Sequence, residues 1–520
     1  MSDATLNKRL GAAALIVSGG VLLSRILGQL REIIFAGLLG ADGITDQYVA
    51  AFRIPDFLNY LLAGGFLSIT FIPIFAKFLA ADDEEGGWKA LSAVLRPIAL
   101  GIVGLVLIGI AVAPWVIEAI YPEFTESQVT ATVRLTRIVL PAQVFFVLGA
   151  LFSAVQYAKG EFLVPTIAPI IYNLGIIGGG LLYAQATGAA DPEGFIWGAL
   201  AGAFIGNFAL QWWGARRVGM RLDLSTEWRH PALLQYVAIA LPLMIGQSIV
   251  VLDETFMSTF GGLAGDGAQT QLLYARRTMF VPIGVVAQAA GVAAYPFLAR
   301  LFAEDKHTQM ADTVDRTLRW VLALSILAAG AIASMSVPTI RTLFERAAFK
   351  PDDTIAAASA LFFYSLAIPI WGGLQVITRA FYARSQMWTP VVVGTVATVF
   401  AVPTYWLMQR EFGLEGVAAA SVIALGAYTM ALGVIWYRDP AHKSRAASIL
   451  EGAGRALPLA VGGGAAAWAV ARVLESALGT GFIASAATLL AGGVTYIAVA
   501  VALANALHSL TTRSQDQGST

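Results

Sequence analysis

The chain has 520 residues, of which 58% are hydrophobic and only 13% charged, and its 33 basic residues balance 33 acidic ones. Soluble domains carry about 25% charged residues, so this composition excludes an ordinary soluble enzyme, and the lack of a basic excess excludes a nucleic-acid binder. The absence of cysteine removes disulfides, thiolate metal sites and cysteine nucleophiles, and what remains is a protein that crosses a membrane many times.

A bilayer core of about 30 Å takes roughly 20 apolar residues of helix. Fourteen such runs follow one another, at 10–37, 45–79, 92–118, 131–157, 163–186, 194–213, 232–259, 268–302, 317–340, 356–384, 388–408, 414–437, 453–474 and 480–506. Runs such as PIALGIVGLVLIGIAVAPW (97–115) do not alternate in polarity as barrel strands do. The expected fold is an all-α polytopic membrane protein of about 14 transmembrane helices.

The first run follows Lys8 and Arg9, as the apolar core of a signal peptide would, yet it contains Arg25, Arg31 and Glu32 and leads to no A-x-A cleavage site. It reads as a retained helix with a polar face. Ser24, Arg25, Gly28, Gln29, Arg31 and Glu32 fall within about 160° of arc at 100° per residue. The second run adds Asp46, Arg53, Asp56 and Asn59, with Pro55 and the Gly64-Gly65 pair to loosen it. The seventh adds Asp253 and Glu254, and the eighth adds Arg276 and Arg277.

A charge at the bilayer centre costs about 2.5–3.5 kcal/mol on insertion scales, so such residues face a bundle interior or water. Five arginines and no lysine occupy these inner positions. Guanidinium forks grip phosphate and carboxylate bidentately, which points to a cationic cavity for a large anion. The expected substrate-binding set is Ser24, Arg25, Arg31, Arg53, Asn59, Arg276 and Arg277. Gly28, Glu32, Asp46, Asp253 and Glu254 are the candidates for gating or coupling. The competing reading pairs the arginines with Glu32, Asp46, Asp56, Asp253 and Glu254 as structural ion pairs. Arg134, Arg137, Arg379 and Arg472 lie nearer the ends of their runs, where snorkelling explains them. No H-E-x-x-H, G-x-S-x-G, Walker A or metal-spaced acidic cluster occurs, so neither catalysis, a resident cofactor nor nucleotide binding is expected.

With the N-terminus in the cytoplasm, twenty Lys/Arg fall on the cytoplasmic side and four, Arg341, Arg346, Lys350 and Arg410, on the other. That bias sets both termini inside. Tyr157-Ala158-Lys159 with Pro165 recurs as Tyr382-Ala383-Arg384 with Pro390, at an offset of 225. Arg53 and Pro73 recur as Arg276 and Pro296 at 223, with FIPIFAKF (71–78) echoed by AYPFLARL (294–301). Two matches at nearly one spacing suggest a six-helix unit repeated in parallel, a transporter architecture. The expected organisation is an N-terminal lobe at 1–222, a C-terminal lobe at 223–440, and two last helices with a short tail at 441–520.

The stretch SRILGQLREIIFAGLLGADGITDQYVAAFRIPDFL (24–58) resembles the signature of the MurJ/MviN family of lipid II flippases: S-R-x-L-G-x-x-R, then G-A-x-x-x-T-D, then A-F-[RK]-[IL]-P. FLVPTIAPIIYN (162–173), YARRTMFVPIGV (274–285) and FYARSQMWTP (381–390) are further matches. The resemblance implies two six-helix lobes forming a V, with the last two helices helping to form a groove for a lipid tail. It implies a bacterial inner-membrane protein that moves undecaprenyl-diphosphate disaccharide-pentapeptide to the outer leaflet by alternating access, working as a monomer. By motif, Ser24, Arg25 and Arg31 fall on substrate-facing positions, Asp46 on the family aspartate and Arg277 on the helix-8 arginine.

The chain departs from the family after A-F-[RK]-[IL]-P, where N-L-L-R-R-x-F-A-E-G is usual. Asn59 and Tyr60 replace two arginines, Gly64 replaces the glutamate, and Arg276 stands where an acidic residue is common. These departures leave open a different polyprenyl-diphosphate sugar, of O-antigen or capsule type. A cation-coupled drug antiporter of the same superfamily would call for a carboxylate-dominated cavity instead. Some relatives couple to sodium through a helix-7 aspartate, here Asp253, and Asn/Asp of helix 11; TPVVVGTVATVFAVPTYW (389–406) has neither, so membrane potential is the alternative drive.

Overall fold

A computed structural model describes residues 3–62, 66–223, 230–284, 298, 300–302, 304–384, 386–438 and 446–517. The Gly64-Gly65 pair, Arg229, Pro296, Lys443 and Arg445 lie outside the described residues. Every regular element among those described is helical. The chain divides into two compact units, Met1–Thr255 and Phe256–Thr520.

The first unit holds α1 (Asp3–Leu39), α2 (Gly43–Ala51), α3 (Arg53–Leu62), α4 (Phe66–Ala80), α5 (Glu84–Ile120), α6 (Glu126–Val139), α7 (Ala142–Ala158), α8 (Leu163–Thr187) and α9 (Pro192–Gly202). A π-helical turn, Ala203–Ala209, leads on to α10 (Leu210–Arg217), and the unit boundary falls within α11 (Pro231–Gly262). The second unit continues with α12 (Ala268–Ile283), α13 (His307–Ser334), α14 (Ser336–Phe344), α15 (Pro351–Ser365), α16 (Ala367–Ala383), α17 (Trp388–Arg438), α18 (Ala446–Leu478) and α19 (Phe482–Gln517).

Eight helical segments among the described residues are long and apolar enough to cross a membrane, nine if the pair α15–α16, bent by 42°, counts as one span. Their exposed faces are apolar, as with Leu100, Leu107 and Ile108 on α5 and Ile483, Leu490 and Val494 on α19. Exposed apolar stripes of this extent mark a surface made for lipid. The buried core of the first unit joins α4, α5 and α7 through Phe71, Phe75, Trp88, Leu91, Leu151 and Phe152.

Several runs that read as single spans are broken, each for a local reason. The run 45–79 is divided into α2, α3 and α4. Asp42 starts α2 with a reciprocal capping box to Thr45, and Pro55, without an N–H, sits in the first turn of α3, where no intrahelical donor is needed. The run 131–157 is α6 and α7, parted at Leu140-Pro141. The eleventh and twelfth runs meet at Gly413, whose φ of 56° only glycine adopts readily.

The breaks recur along the chain. α6 and α15 begin at Glu126 and Pro351, α7 and α16 at Ala142 and Ala367, and α8 and α17 at Leu163 and Trp388. The Tyr-Ala-Lys/Arg motif closes both α7 and α16, and its basic residue takes nearly the same backbone at each end, φ −84° at Lys159 and at Arg384.

Candidate functional site

The polar residues of the first unit gather around α1, α2, α3, α8 and α11. Arg31, half-buried on α1, donates from both Nε and Nη2 to Glu32 Oε1, at 2.9 and 2.5 Å. Its Nη1 donates to Asn173 Oδ1 at 3.1 Å, a residue 142 positions away on α8. Asn173 is held in turn, because its Nδ2 donates to the Pro169 carbonyl at 2.9 Å. Arg31 thus has a fixed direction, set by one carboxylate on its own helix and one amide on a neighbour.

The α8 backbone that presents Asn173 is itself fixed by close packing. Gly175 and Gly179 of α8 face Gly194, Gly198 and Gly202 of α9, a small-x3-small pattern on both helices. A Cβ on Gly179 would stand 2.5 Å from Gly198 Cα, and one on Gly175 2.7 Å from Gly202 Cα. Such contacts allow only glycine, so the two backbones touch. Around them Phe35, Tyr48, Phe52 and Phe195 form an aromatic wall, with ring centroids 4.4 Å apart for Phe35–Tyr48 and 4.9 Å for Phe35–Phe195. The hydroxyls of Tyr48 and Tyr172 lie within the field of Arg31 and Asp56.

Arg53, at the start of α3, is buried and pairs with Asp56 at 3.8 Å. Glu254 on α11 lies near enough to Asp56 for the two carboxylates to repel. Asp46 is buried in the first turn of α2, where the helix dipole favours a negative charge. Ser24, Gly28, Asn59 and Asp253 are half-buried, and Arg25 is exposed on α1 beside Leu22 and Ile26.

In the second unit, α12 carries both arginines in different settings. Arg276 is only 3% exposed, and its guanidinium lies 5.6 Å from the Phe280 ring centre, a cation–π placement. Arg277, about 100° further round the helix, is half-buried. The rest of α12 is unusually polar for a buried helix, and two of its amides have side-chain partners: Gln269 accepts from Ser258 at 2.8 Å, and Gln271 donates to Asp353 at 3.1 Å.

The structure thus brings Arg31, Glu32, Arg53, Asp56 and Glu254 into one neighbourhood and seats Arg276 and Arg277 on a different unit. Two of the pairings that the ion-pair reading anticipated, Arg31–Glu32 and Arg53–Asp56, are made. Sequence reasoning passed over Asn173, Tyr48 and Tyr172; a lone Asn amid the apolar residues of α8 was the available signal, since an amide in a span needs a partner. The arginines assigned to snorkelling have specific partners. Arg134 pairs with Glu193 at 2.9 Å, Arg379 donates to Gln375, and Arg472 lies over the Trp468 ring. Arg137 donates to the Ile110 carbonyl at 3.2 Å.

Residues 35–504 match the family model described as lipid II flippase MurJ. The chain belongs to the MurJ family. The match begins just after Arg31 and Glu32, so the first charged stretch of α1 lies outside it. Among relatives of the MurJ family, the Rhizobium meliloti protein named Probable lipid II flippase MurJ is 28% identical over 419 residues, covering 78% of this chain and 77% of its own. The Burkholderia cenocepacia Lipid II flippase MurJ is 28% identical over 388 residues, covering 74% and 75%.

The fold is that of a solved MurJ. A structure described as lipid II flippase MurJ in an inward closed conformation superposes with a TM-score of 0.74 at 21% identity, over 95% of this chain and 99% of that one. An inward-facing multidrug resistance MATE family transporter of the MOP superfamily superposes with 0.66 at 14% identity, over 84% and 99%. As a MurJ-family chain with many apolar helices, this is a multi-pass bacterial membrane protein.

Proposed function

We propose that this protein flips lipid II, undecaprenyl-diphosphate carrying a disaccharide-pentapeptide, from the cytoplasmic to the outer leaflet by alternating access. The observation that carries this reading is the state of Arg31 in a MurJ-family chain: two of its donors converge on a single oxygen of Glu32, and Asn173 fixes the third. A diphosphate offers a bidentate, more highly charged acceptor, so it competes with Glu32 for the guanidinium. The carboxylate holds Arg31 ready in the empty protein and gives way to substrate.

Ser24 and Arg25 on the same helix, Asn59 on α3 and Arg277 on α12 are the further proposed contacts. Arg53, buried with Asp56, and Arg276, stacked on Phe280, are assigned to holding their own helices in place. Gly28, Asp46, Asp253 and Glu254 remain the proposed gating or coupling residues. With no Asn or Asp in residues 389–406, the proposed drive is the membrane potential, worth about 2.3 kcal/mol per charge per 100 mV.

Rescue of a strain depleted of its own lipid II flippase tests the reading. Arg31→Ala and Arg277→Ala should each abolish rescue, while Arg134→Ala, which opens an exposed pair with Glu193, should rescue normally. Full rescue by both Arg31→Ala and Arg277→Ala at normal expression contradicts it. Both termini are proposed to be cytoplasmic, from the Lys/Arg bias. Because the chain has no cysteine, single cysteines read sidedness directly: one at position 346 should be labelled in intact cells and one at 217 only after lysis, and the reverse pattern would overturn the orientation.

A further inference from the structure

The second unit contains a long groove unrelated to the charged cluster. It runs between α13, α15 and α18, with a contribution from α14, and has a volume of about 730 Å³. On α18 the lining residues include Leu457, Val461, Gly464, Trp468, Arg472 and Glu475. Their spacing of three and four places them on one helical face, and at 1.5 Å per residue they span about 27 Å, close to the thickness of a bilayer core. No residue of α19 lines the groove, so it is a different place from a cleft formed by the last two helices.

The groove has an apolar length and a charged end. Its floor is made of small residues: Gly330 and Ala333 of α13 face Gly464 and Ala465 of α18, and a Cβ on Gly330 would stand 2.9 Å from Ala460. The large residues flanking it, Ile355, Phe362, Leu457, Val461 and Trp468, are about half exposed or more, so the groove is open along its length. At the far end Arg341 is buried and doubly engaged, by Glu345 at 3.2 Å and Glu475 at 2.5 Å. That triad carries a net negative charge of one, and Arg472 beside it restores neutrality. The Arg472 guanidinium lies 5.4 Å from the Trp468 ring centre, and a guanidinium stacked on a ring keeps its in-plane donors for an anion.

An apolar trough open to lipid, closed at one end by an exposed arginine next to a fixed carboxylate, is complementary to one kind of molecule. We infer that the groove is a binding site for a membrane phospholipid, with an acyl chain along the small-residue floor of α13 and α18 and the phosphate on Arg472. The Glu475 carboxylate, next to that phosphate, favours a headgroup that also carries an amine. The site is independent of the flippase reading, because none of its residues belongs to the charged cluster.

The test uses the full-length protein in nanodiscs of phosphatidylethanolamine doped with a phosphatidylethanolamine bearing a photoactivatable acyl chain, with adducts mapped by peptide mass spectrometry. The expected result is a several-fold excess of adducts on α13, α15 and α18 lining residues over the exposed flank of α19. Arg472→Glu should remove most of that excess, and so should Ala465→Trp, which fills the trough; Leu490→Trp on α19 should leave it unchanged. All three variants should elute as the unmodified protein does. Adducts spread evenly over the apolar flanks, or an excess that survives both groove variants, would overturn the inference. So would displacement of the adducts by a polyprenyl diphosphate, which would make the groove part of the substrate path.

Discussion

Arg31 is held at three donors by two residues, and only one of the two is its neighbour in sequence. Glu32 stands next to it, whereas Asn173 arrives from a helix 142 residues away. A hydrogen bond to a charged group contributes about 1.5–3 kcal/mol, so Asn173→Leu should weaken lipid II binding about tenfold or more while leaving the chain folded. Titration of purified protein with lipid II in nanodiscs checks this, and unchanged affinity would show that Asn173 does not position Arg31. The charged half of this arrangement was legible from the sequence, because arginines and carboxylates in apolar runs stand out. The amide half was not, because Asn173 sits in an otherwise apolar helix and its meaning depends on which helix α8 touches. The same limit separates Arg276 from Arg277: adjacent in sequence and equally charged, they differ in that the fold buries one against Phe280.

At the scale of elements, the helix type and most positions followed from apolar run length, since a backbone in lipid must satisfy its own hydrogen bonds. The breaks within the runs followed from single residues whose effect depends on their neighbours. Pro114 within α5 has no N–H to offer the Ile110 carbonyl, and Arg137 of α6 supplies the missing donor. A residue that reads as snorkelling is therefore the repair of a helix fault one element away. Arg137→Leu should lower stability by about 1–2 kcal/mol, the upper range for a polar contact between helices in a membrane, read as a fall in Tm in detergent. Pro114→Ala should restore the backbone bond and make the same Arg137→Leu change nearly neutral. Equal losses in both backgrounds would show that the two residues are not coupled. The glycines of α8 and α9 belong to the same scale: five small residues let two backbones touch, and that contact fixes where Asn173 stands.

For the whole molecule, the equality of 33 basic and 33 acidic residues hides three uses of charge. Most cations flank the apolar runs, where their bias is proposed to set orientation. Some lie within helices as partners of specific carbonyls, carboxylates or rings, as Arg137, Arg134 and Arg472 do. A few, Arg31 foremost, are held by groups that a stronger anion would displace. The recurrence of helix starts at Glu126 and Pro351, Ala142 and Ala367, and Leu163 and Trp388 extends a repeat visible in the sequence as two short motifs. The central claim is transport of lipid II, and a leaflet-resolved assay of lipid II in cells depleted of their own flippase tests it most directly. Expressing this protein should restore lipid II to the outer leaflet, and Arg31→Ala, made at the same level, should not. Lipid II confined to the inner leaflet despite full expression, or flipped equally well by Arg31→Ala, would contradict it.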